Sequence, residues 1–282
     1  MSKLYGMVTV KSSNQYTELA LKSFFEHTKF NEEDQFVLID NDGDWINNYH
    51  KNAFSEKNII VNESPCNTSE NINKILDIAN EYQQDAVFLS NDVIFTPNWN
   101  TRFLSHALTI PSCNQTHNYG IGDALDLDTF NDNYEMLNKI SMEHMSNNNV
   151  PYERLLMPTY VCFIPYTLYS KVGHFDTTFN VGGEDVDYRL RCLQNNINVK
   201  YSNAFLLHFN GKSSWNGIET EEETQIRNDN YKTKFIDKWG IDLYNLCLVS
   251  GNPNLTIEKY GLHEFIKNNQ YNNAIKEVLK YV

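Results

Sequence analysis

Short apolar runs alternate with amphipathic helical patterns over the first hundred residues. Four of the runs have the length of a strand: 4–10 (LYGMVTV), 35–39 (QFVLI), 58–61 (NIIV) and 86–89 (AVFL). The stretches 15–28 and 69–82 instead carry apolar residues at helical spacing. In the first stretch this spacing places Leu19, Leu21, Phe24 and Phe25 inward. Unbroken apolar strands separated by helices predict a mostly parallel α/β sheet covered on both faces.

Polar residues follow three of these strands, at the point where each strand ends: KSSN (11–14), DNDGD (40–44) and SNDV (90–93). Ligands of open α/β sheets bind beyond the carboxyl ends of the strands, so these stretches are candidate ligand contacts. DNDGD is also typical of a plain turn. SNDV is less turn-like, because Asp92 lies between apolar residues and the strand pattern resumes after it.

The second half of the chain has a polar interruption and a helical end. Residues 112–158 are polar and Asn-rich, which predicts an insertion or loop layer over the sheet. A strand, a short helix and a turn follow at 159–176. No linker is evident, so the sequence predicts one α/β domain over 1–215 and a helical C-terminal extension over 216–282.

Charge and cysteine usage narrow the class of protein. The 282 residues carry a formal net charge of −13, and an acidic surface repels nucleic acid and anionic lipid. The five cysteines are scattered, with no CxxC pair, which favours a reducing compartment and argues against structural zinc. The N-terminus lacks a secretory pattern, and the apolar runs are too short for a transmembrane segment. Together these features predict a cytoplasmic protein.

The stretch GGEDVDYRLRC (182–192) combines two glycines, three acids and two arginines. Taken locally it starts a helix, because acids in the first turn favour the positive end of the helix dipole. Two acid–arginine pairs stand at i,i+4 spacing: Asp185 with Arg189, and Asp187 with Arg191. Helix stability therefore explains most of these charges, and a chemical role for one of the acids stays open at this point.

The stretch 159–214 resembles the second half of family 2 glycosyltransferases of the GT-A fold. The resemblance rests on GHFD (173–176), on GEDVD (183–187), and on His208 followed by Gly211, Ser213 and Ser214. The N-terminal half is similar as well: VTVKSSN resembles the first strand and turn of the family, VLIDNDGD its base-reading stretch, and FLSNDVIFTPNW its metal-binding DxD stretch. The order of the pieces along the chain is that of the family.

The resemblance implies a division of the domain into a nucleotide-sugar-binding half (1–110), a variable insertion (111–158) and an acceptor-binding, catalytic half (159–215). It implies inverting transfer of a sugar from a UDP- or dTDP-type nucleotide-diphospho-sugar donor to a glycan or another hydroxyl acceptor. It also implies Mn²⁺ or Mg²⁺ as cofactor, which would neutralise charge on the leaving diphosphate.

Specific roles follow from the same resemblance. Asp92 and His208 would bind the metal, with diphosphate oxygens and water completing its shell. Asp185 would be the general base that accepts the proton of the acceptor hydroxyl, and Glu184 would orient the acceptor or nearby backbone. Donor-binding residues would be Thr9, Ser12, Asp40, Asn67, Asn73, Ser90 and Asn91, with Asp40 accepting from the imino N–H of uracil or thymine. Trp215 could stack on a sugar.

Three alternatives remain open. His208 could be a hydrogen-bonded histidine at a strand end. The Asn- and Lys-rich composition, typical of an AT-rich genome such as that of many viruses, admits a transferase acting on modified DNA bases, which the acidic charge disfavours. Ser90, which replaces the first acid of DxD, would suit a non-catalytic nucleotide-sugar or glycan-binding module, which the intact Glu184–Asp185 pair disfavours. The transferase hypothesis requires Asp40, Asp92 and Asp185 to converge on one cleft rim.

Overall fold

The computed structural model describes most of the chain. It covers residues 1–49, 58–116, 134–147, 150–156, 160–179, 182–209, 212 and 220–282. Gly211, Ser213, Ser214 and Trp215, and much of the polar interruption, lie outside these ranges.

Eight strands among the described residues form one sheet. They are β1 (Lys3–Thr9), β2 (Gln35–Asp40), β3 (Ile59–Val61), β4 (Asp85–Leu89), β5 (Val93–Ile94), β6 (Ala107–Cys113), β7 (Val161–Ile164) and β8 (Asn198–His208). Their order is β3-β2-β1-β4-β7-β6-β8-β5. Four of the seven pairings are parallel, namely β1 with β2 and β4, β2 with β3, and β6 with β8. The predicted mostly parallel α/β sheet is confirmed.

Helices flank this sheet and continue into the C-terminal residues. They are α1 (Asn14–His27), α2 (Thr68–Glu81), α3 (Tyr134–Asn147), α4 (Tyr166–Val172), α5 (Glu184–Gln194), α6 (Glu221–Cys247), α7 (Pro253–Tyr260), α8 (His263–Lys267) and α9 (Tyr271–Leu279). Four helices of the described ranges, α6 to α9, follow residue 216. None of the helices in the described ranges has the length and apolarity needed to cross a bilayer.

The apolar faces of α1 and α2 form the core with the sheet. Leu21 and Phe24 of α1 are buried, but the prediction for Phe25 is wrong, because its side chain is 42% exposed. Phe25 instead stacks on Phe30, 6.1 Å away, at the rim of the core. Helix α2 lies so close to β1 that a Cβ on Gly6 would come within 2.5 Å of the Ile75 side chain.

The topology brings several polar stretches to one edge of the sheet. Strands β2, β1 and β4 are parallel neighbours, and their carboxyl ends carry Asp40, Thr9 and Ser90 respectively. After β4 the chain leaves this part of the sheet and pairs as β5 with the end of β8, where Val93 lies opposite His208. This crossover places the SNDV stretch beside the predicted histidine.

Helix α6 belongs to the same hydrophobic core as the sheet. Phe235, Trp239 and Leu243 are buried in one cluster with residues of β1, β4 and β7. The helix bends at Gly240, whose φ of +81° is in the region that favours glycine. The boundary between residues 215 and 216 stays a prediction.

Candidate active site

Asp92 and His208 form a close pair at the end of the β4–β5 crossover. The Nε2 atom of His208 lies 3.4 Å from Oδ1 of Asp92. The Asp92 side chain is fully buried, and that of His208 is nearly so. Strand pairing fixes this proximity, since Val93 and His208 are direct partners and the Phe209 N–H donates to the Asp92 carbonyl at 2.9 Å.

Three neighbours fix the orientation of the His208 ring. The ring stacks on Tyr160 with a centroid distance of 4.8 Å. Asn114 accepts from the His208 N–H at 2.8 Å and donates to its carbonyl at 3.1 Å. The Nδ1 atom contacts the Gln115 Oε1 at 2.9 Å, and because an amide oxygen can only accept, Nδ1 is the donor. The other ring nitrogen, Nε2, is therefore the one that faces Asp92.

Ser90 positions Asp92 in place of an acid. Its Oγ donates to Oδ1 of Asp92 at 2.6 Å, and its own N–H donates to the Tyr160 carbonyl at 2.8 Å. Ser90, which departs from the DxD pattern, thus orients the carboxylate of Asp92. Its predicted contact with a donor stays a prediction.

The Asp92–His208 pair fits a divalent cation. Adjacent ligands of an ion coordinated at about 2.1 Å are about 3 Å apart, close to the observed separation. One carboxylate and one imidazole suit Mn²⁺ somewhat better than Mg²⁺. Within the described ranges no group of three or more His, Cys, Asp or Glu side chains could hold a metal ion. A cation here would take its remaining ligands from substrate phosphates and water, as Mg²⁺ commonly does.

We expect Gln115→Leu to weaken Mn²⁺ binding, because the acceptor that fixes the His208 tautomer is lost. Changes to such outer-shell partners typically cost about 10–100-fold in affinity. Calorimetric titration of Mn²⁺ at a fixed UDP concentration measures this. Gln225→Leu is the matched control, since Gln225 donates to the exposed Asp229 on the surface of α6. Equal affinities in the two variants would contradict the orienting role.

A buried hydrogen-bonded chain connects this pair to the first strand. Asn91 donates to Ser13 Oγ at 2.8 Å and to Thr17 Oγ1 at 2.7 Å. Thr17 contacts the buried Thr9 at 2.6 Å between hydroxyl oxygens. Ser12 lies next to Ser13 but is exposed. Thr9, Ser12 and Asn91 therefore share one edge, where their donor-binding roles stay predictions.

Asp40 organises its own loop. Its Oδ1 accepts from the Gly43 N–H at 3.1 Å, and its Oδ2 accepts from the Ile46 N–H at 2.9 Å. The side chain is fully buried. The turn interpretation of DNDGD is thus supported by hydrogen bonds, and recognition of a nucleotide base by Asp40 stays a prediction that competes with this role.

The two asparagines of α2 make structural contacts. Asn67 caps the helix by a reciprocal capping box with Glu70. Asn73 donates to the Phe175 carbonyl at 2.9 Å and accepts from the Phe175 N–H at 2.7 Å. Asn67 also donates to the Thr177 carbonyl at 3.2 Å, so both residues tie α2 to the segment before the acidic turn, and their contact with a donor stays a prediction.

A glycine turn positions Glu184 and Asp185 at the start of α5. Gly182 and Gly183 have φ values of +95° and +88°, a conformation that other residues adopt only with strain. Burial, and next the charges of Cys192 and Asp185, raise the pKa of the Cys162 thiol of β7.

The two acids have different electrostatic environments. Burial, and next the charge of Asp185, raise the pKa of Glu184 to about 7, and Arg227 opposes this shift. The Glu184 Oε2 is buried and has no hydrogen-bond partner among the described residues. Asp185 accepts from the Val186 N–H at 2.7 Å at the positive end of the helix. A carboxyl group whose proton leaves near neutral pH, beside a second carboxyl group, is suited to general acid–base chemistry.

The arginines of α5 stabilise the fold. The predicted Asp187–Arg191 pair is confirmed, with 2.9 Å between Arg191 Nε and Asp187 Oδ2. Arg189 directs its guanidinium to the carbonyls of Arg154 and Leu155. Sequence reasoning missed Tyr160, Gln115 and Asn114, because no local pattern marks a residue that supports a ligand from another strand.

Comparison with known proteins shows a shared fold. No family model matches the chain, and no curated protein matches it significantly. The solved structure of GalNAc-T7 with UDP, GalNAc and Mn²⁺ superimposes with a TM-score of 0.59 at 13% identity. The alignment covers 95% of this chain and 57% of GalNAc-T7, so the chain spans little more than half of that protein.

Two further structures are similar at lower scores. The mannosyltransferase PcManGT from Pyrobaculum calidifontis, in complex with GDP-Man and Mn²⁺, has a TM-score of 0.46 and 9% identity, covering 98% of this chain and 85% of that one. S. aureus TarS 1–349 has a TM-score of 0.48 and 11% identity, and the alignment covers 99% of this chain and 90% of the TarS chain. With the sheet order described above, the GalNAc-T7 likeness defines a GT-A-like fold, the fold of nucleotide-sugar glycosyltransferases.

Proposed function

We propose that this chain is an inverting, metal-assisted glycosyltransferase of the family 2 type. It would move a sugar from a UDP- or dTDP-sugar to a hydroxyl of a glycan or other acceptor. The observation that carries the proposal is the buried Asp92–His208 pair, 3.4 Å apart, at the carboxyl edge of the sheet. The proposal requires the Glu184–Asp185 turn to face the same edge.

The residues divide the work between the two halves of the reaction. Asp92 and His208 would hold Mn²⁺ or Mg²⁺, and a bound cation supplies charge neutralisation for the leaving diphosphate. Asp185 would take the proton of the acceptor hydroxyl. At the same time the hydroxyl oxygen would bond to the anomeric carbon as the sugar–phosphate bond breaks. Glu184 would orient the acceptor and set the basicity of the pair.

A panel of nucleotide sugars tests this proposal. The purified chain is incubated with UDP-, dTDP- and GDP-sugars, with Mn²⁺ or with EDTA, and release of nucleoside diphosphate is measured. We expect slow hydrolysis of a UDP- or dTDP-sugar that requires the cation. No turnover and no donor-dependent thermal shift with any sugar would contradict the proposal. Metal-independent turnover would contradict the role of Asp92 and His208.

The raised pKa of Glu184 predicts a pH dependence of turnover. The fully ionised pair is the competent base, so kcat should rise with pH and level off above about 7. Glu184→Gln should move this limb to lower pH, because only Asp185 then titrates. A kcat–pH profile of both proteins measures it, and an unchanged limb in the variant would assign the ionisation elsewhere.

The same group affects stability in a direction that can be checked without a substrate. Its folded pKa of about 7 exceeds the unfolded value, so the folded state binds this proton more tightly. The contribution of Glu184 to the free energy of unfolding is therefore fully present below about pH 4.5 and is lost as the pH rises through about 7. Glu184→Gln should unfold at a higher temperature than the wild type at pH 8, and this gain should shrink at pH 5.

A further inference from the structure

One face of α6 lies along the acidic turn, although the helix begins beyond the predicted domain boundary. Tyr231, Lys234 and Lys238 follow one another at intervals of three and four residues, so they share one side of the helix. We call these three residues the support face. Each of them contacts a residue between Asp176 and Asp187, the segment that contains Glu184 and Asp185.

The first two contacts of the support face reach the segment entering the turn. The ring of Tyr231 lies against Gly182, where an added Cβ would come within 3.1 Å of the Tyr231 Cδ1. Lys234 donates from Nζ to the Thr178 carbonyl at 2.5 Å. The glycine is therefore required both for its positive φ and for the approach of this ring.

Lys238 makes the most consequential contact, since it bridges two carboxylates. Its Nζ lies 2.5 Å from Oδ2 of Asp176 and 2.7 Å from Oδ1 of Asp187. Asp187 is fully buried, and it also accepts from Trp239 Nε1 at 2.9 Å and from Arg191 Nε at 2.9 Å. A buried carboxylate with three donors has a defined position, and loss of one donor leaves its charge undercompensated.

Asp187 transmits this constraint to the proposed base. It lies two residues after Asp185, and its N–H donates to the Gly183 carbonyl at 2.9 Å, which closes the first turn of α5. Burial works against ionisation of Asp176, but Lys238 and Thr178 hold its pKa at about 2, so the bridge persists at neutral pH. The first turn of α5 is thus attached to α6 through Asp187.

We propose that the support face of α6 holds the Glu184–Asp185 turn in its reactive position, with Lys238 as the principal positioning residue. This inference rests on the proposed function and adds residues from the C-terminal extension to it. Displacement of a base by about 1 Å can lower turnover on the order of 10²-fold without contact between the altered residue and substrate.

The test compares three lysine variants of the full chain. Lys238→Met should lower kcat on the order of 10²-fold while the donor KM and the Mn²⁺-dependent thermal shift stay within about twofold. Lys238→Arg should restore most of kcat, because it returns a cation to both carboxylates. Lys259→Met is the matched control, since it removes the 2.7 Å ion pair between Lys259 and Asp242. Asp242 is on α6, like Lys238, but beyond the bend at Gly240, so this variant should leave kcat unchanged.

Hydrogen exchange provides a readout that does not depend on activity. The amides of residues 183–187 should exchange faster in Lys238→Met and at the wild-type rate in Lys259→Met. If Lys238→Met does not fold, Lys234→Met carries the same comparison with a smaller expected effect. Wild-type exchange of the turn in a folded Lys238→Met protein would overturn the inference. A wild type that turns over no nucleotide sugar would refute the proposed function, and the exchange result would still decide the support role.

Discussion

Replacing Asp185 by Asn is expected to lower kcat by about 10²–10⁴-fold while donor binding is unchanged. This range is the usual contribution of a positioned general base, and the amide can no longer accept the hydroxyl proton. The substitution keeps the size of the side chain and an oxygen that can accept from the Val186 N–H. Steady-state kinetics with the donor chosen by the panel, and calorimetric affinity for that donor, measure the two quantities.

Glu184→Gln is the comparison that assigns the base within the pair. If Asp185 is the base, the Glu184 variant should lose less turnover at pH 8 than Asp185→Asn, since Gln keeps a polar side chain that can still orient the acceptor. A larger loss in Glu184→Gln than in Asp185→Asn would reverse the assignment. Wild-type turnover in Asp185→Asn would remove Asp185 from the chemistry.

Asp92→Asn is expected to abolish the stimulation by Mn²⁺ and to lower kcat/KM by at least about 10²-fold. The carboxylate is the only anionic group of the Asp92–His208 pair, and charge neutralisation of a leaving diphosphate contributes several kcal/mol. Turnover and thermal unfolding are measured with increasing Mn²⁺. The Mn²⁺-dependent rise in Tm seen with the wild type should be missing from the variant.

Asp85→Asn is the matched control, because Asp85 is also buried and begins the strand after which Asp92 lies. Asp85 accepts from the Tyr166 N–H at 2.9 Å at the opposite edge of the sheet. Its replacement should cost stability but leave the Mn²⁺ response intact. Equal loss of the metal response in both variants would mean that Asp92 acts through folding rather than through a cation.

Local patterns predicted the fold because the buried strands are continuous and the helices are strongly periodic. The apolar residues at helical spacing within 69–82 are all buried in α2, namely Ile72, Ile75, Leu76 and Ala79. The burial of Phe25 was predicted wrongly, because a helical pattern shows which side of a helix is apolar but not how much of that side the core covers. At the rim, aromatic neighbours such as Phe36, 5.1 Å away, cover only part of the ring.

The candidate site was predictable only in part. The crossover from β4 to β5, which brings Asp92 to His208, is a property of long-range pairing that no local pattern contains. Asp40 and Asn73 were predicted to contact a donor because of where they stand in the family resemblance. Their side chains instead form hydrogen bonds with backbone groups of neighbouring segments. Polar residues beyond strand ends suit loop construction and ligand binding equally, so sequence alone cannot separate the two roles.

The contacts of α6, in the C-terminal extension, could not be predicted from the sequence either. The sequence of α6 shows a charged helix, and helices with many lysines and acids are ordinarily solvent-exposed. Three of its side chains instead meet residues 176–187, more than forty positions earlier in the chain. Only the tertiary arrangement distinguishes a lysine in solvent from one that bridges Asp176 and Asp187.

The most direct test of the central claim is the anomalous scattering of Mn²⁺ in crystals grown with the nucleoside diphosphate of the active donor. The account predicts one strong peak between Asp92 Oδ1 and His208 Nε2, with the diphosphate on the side that faces the Glu184–Asp185 turn. A peak at any other place, or a diphosphate bound away from that turn, would contradict it.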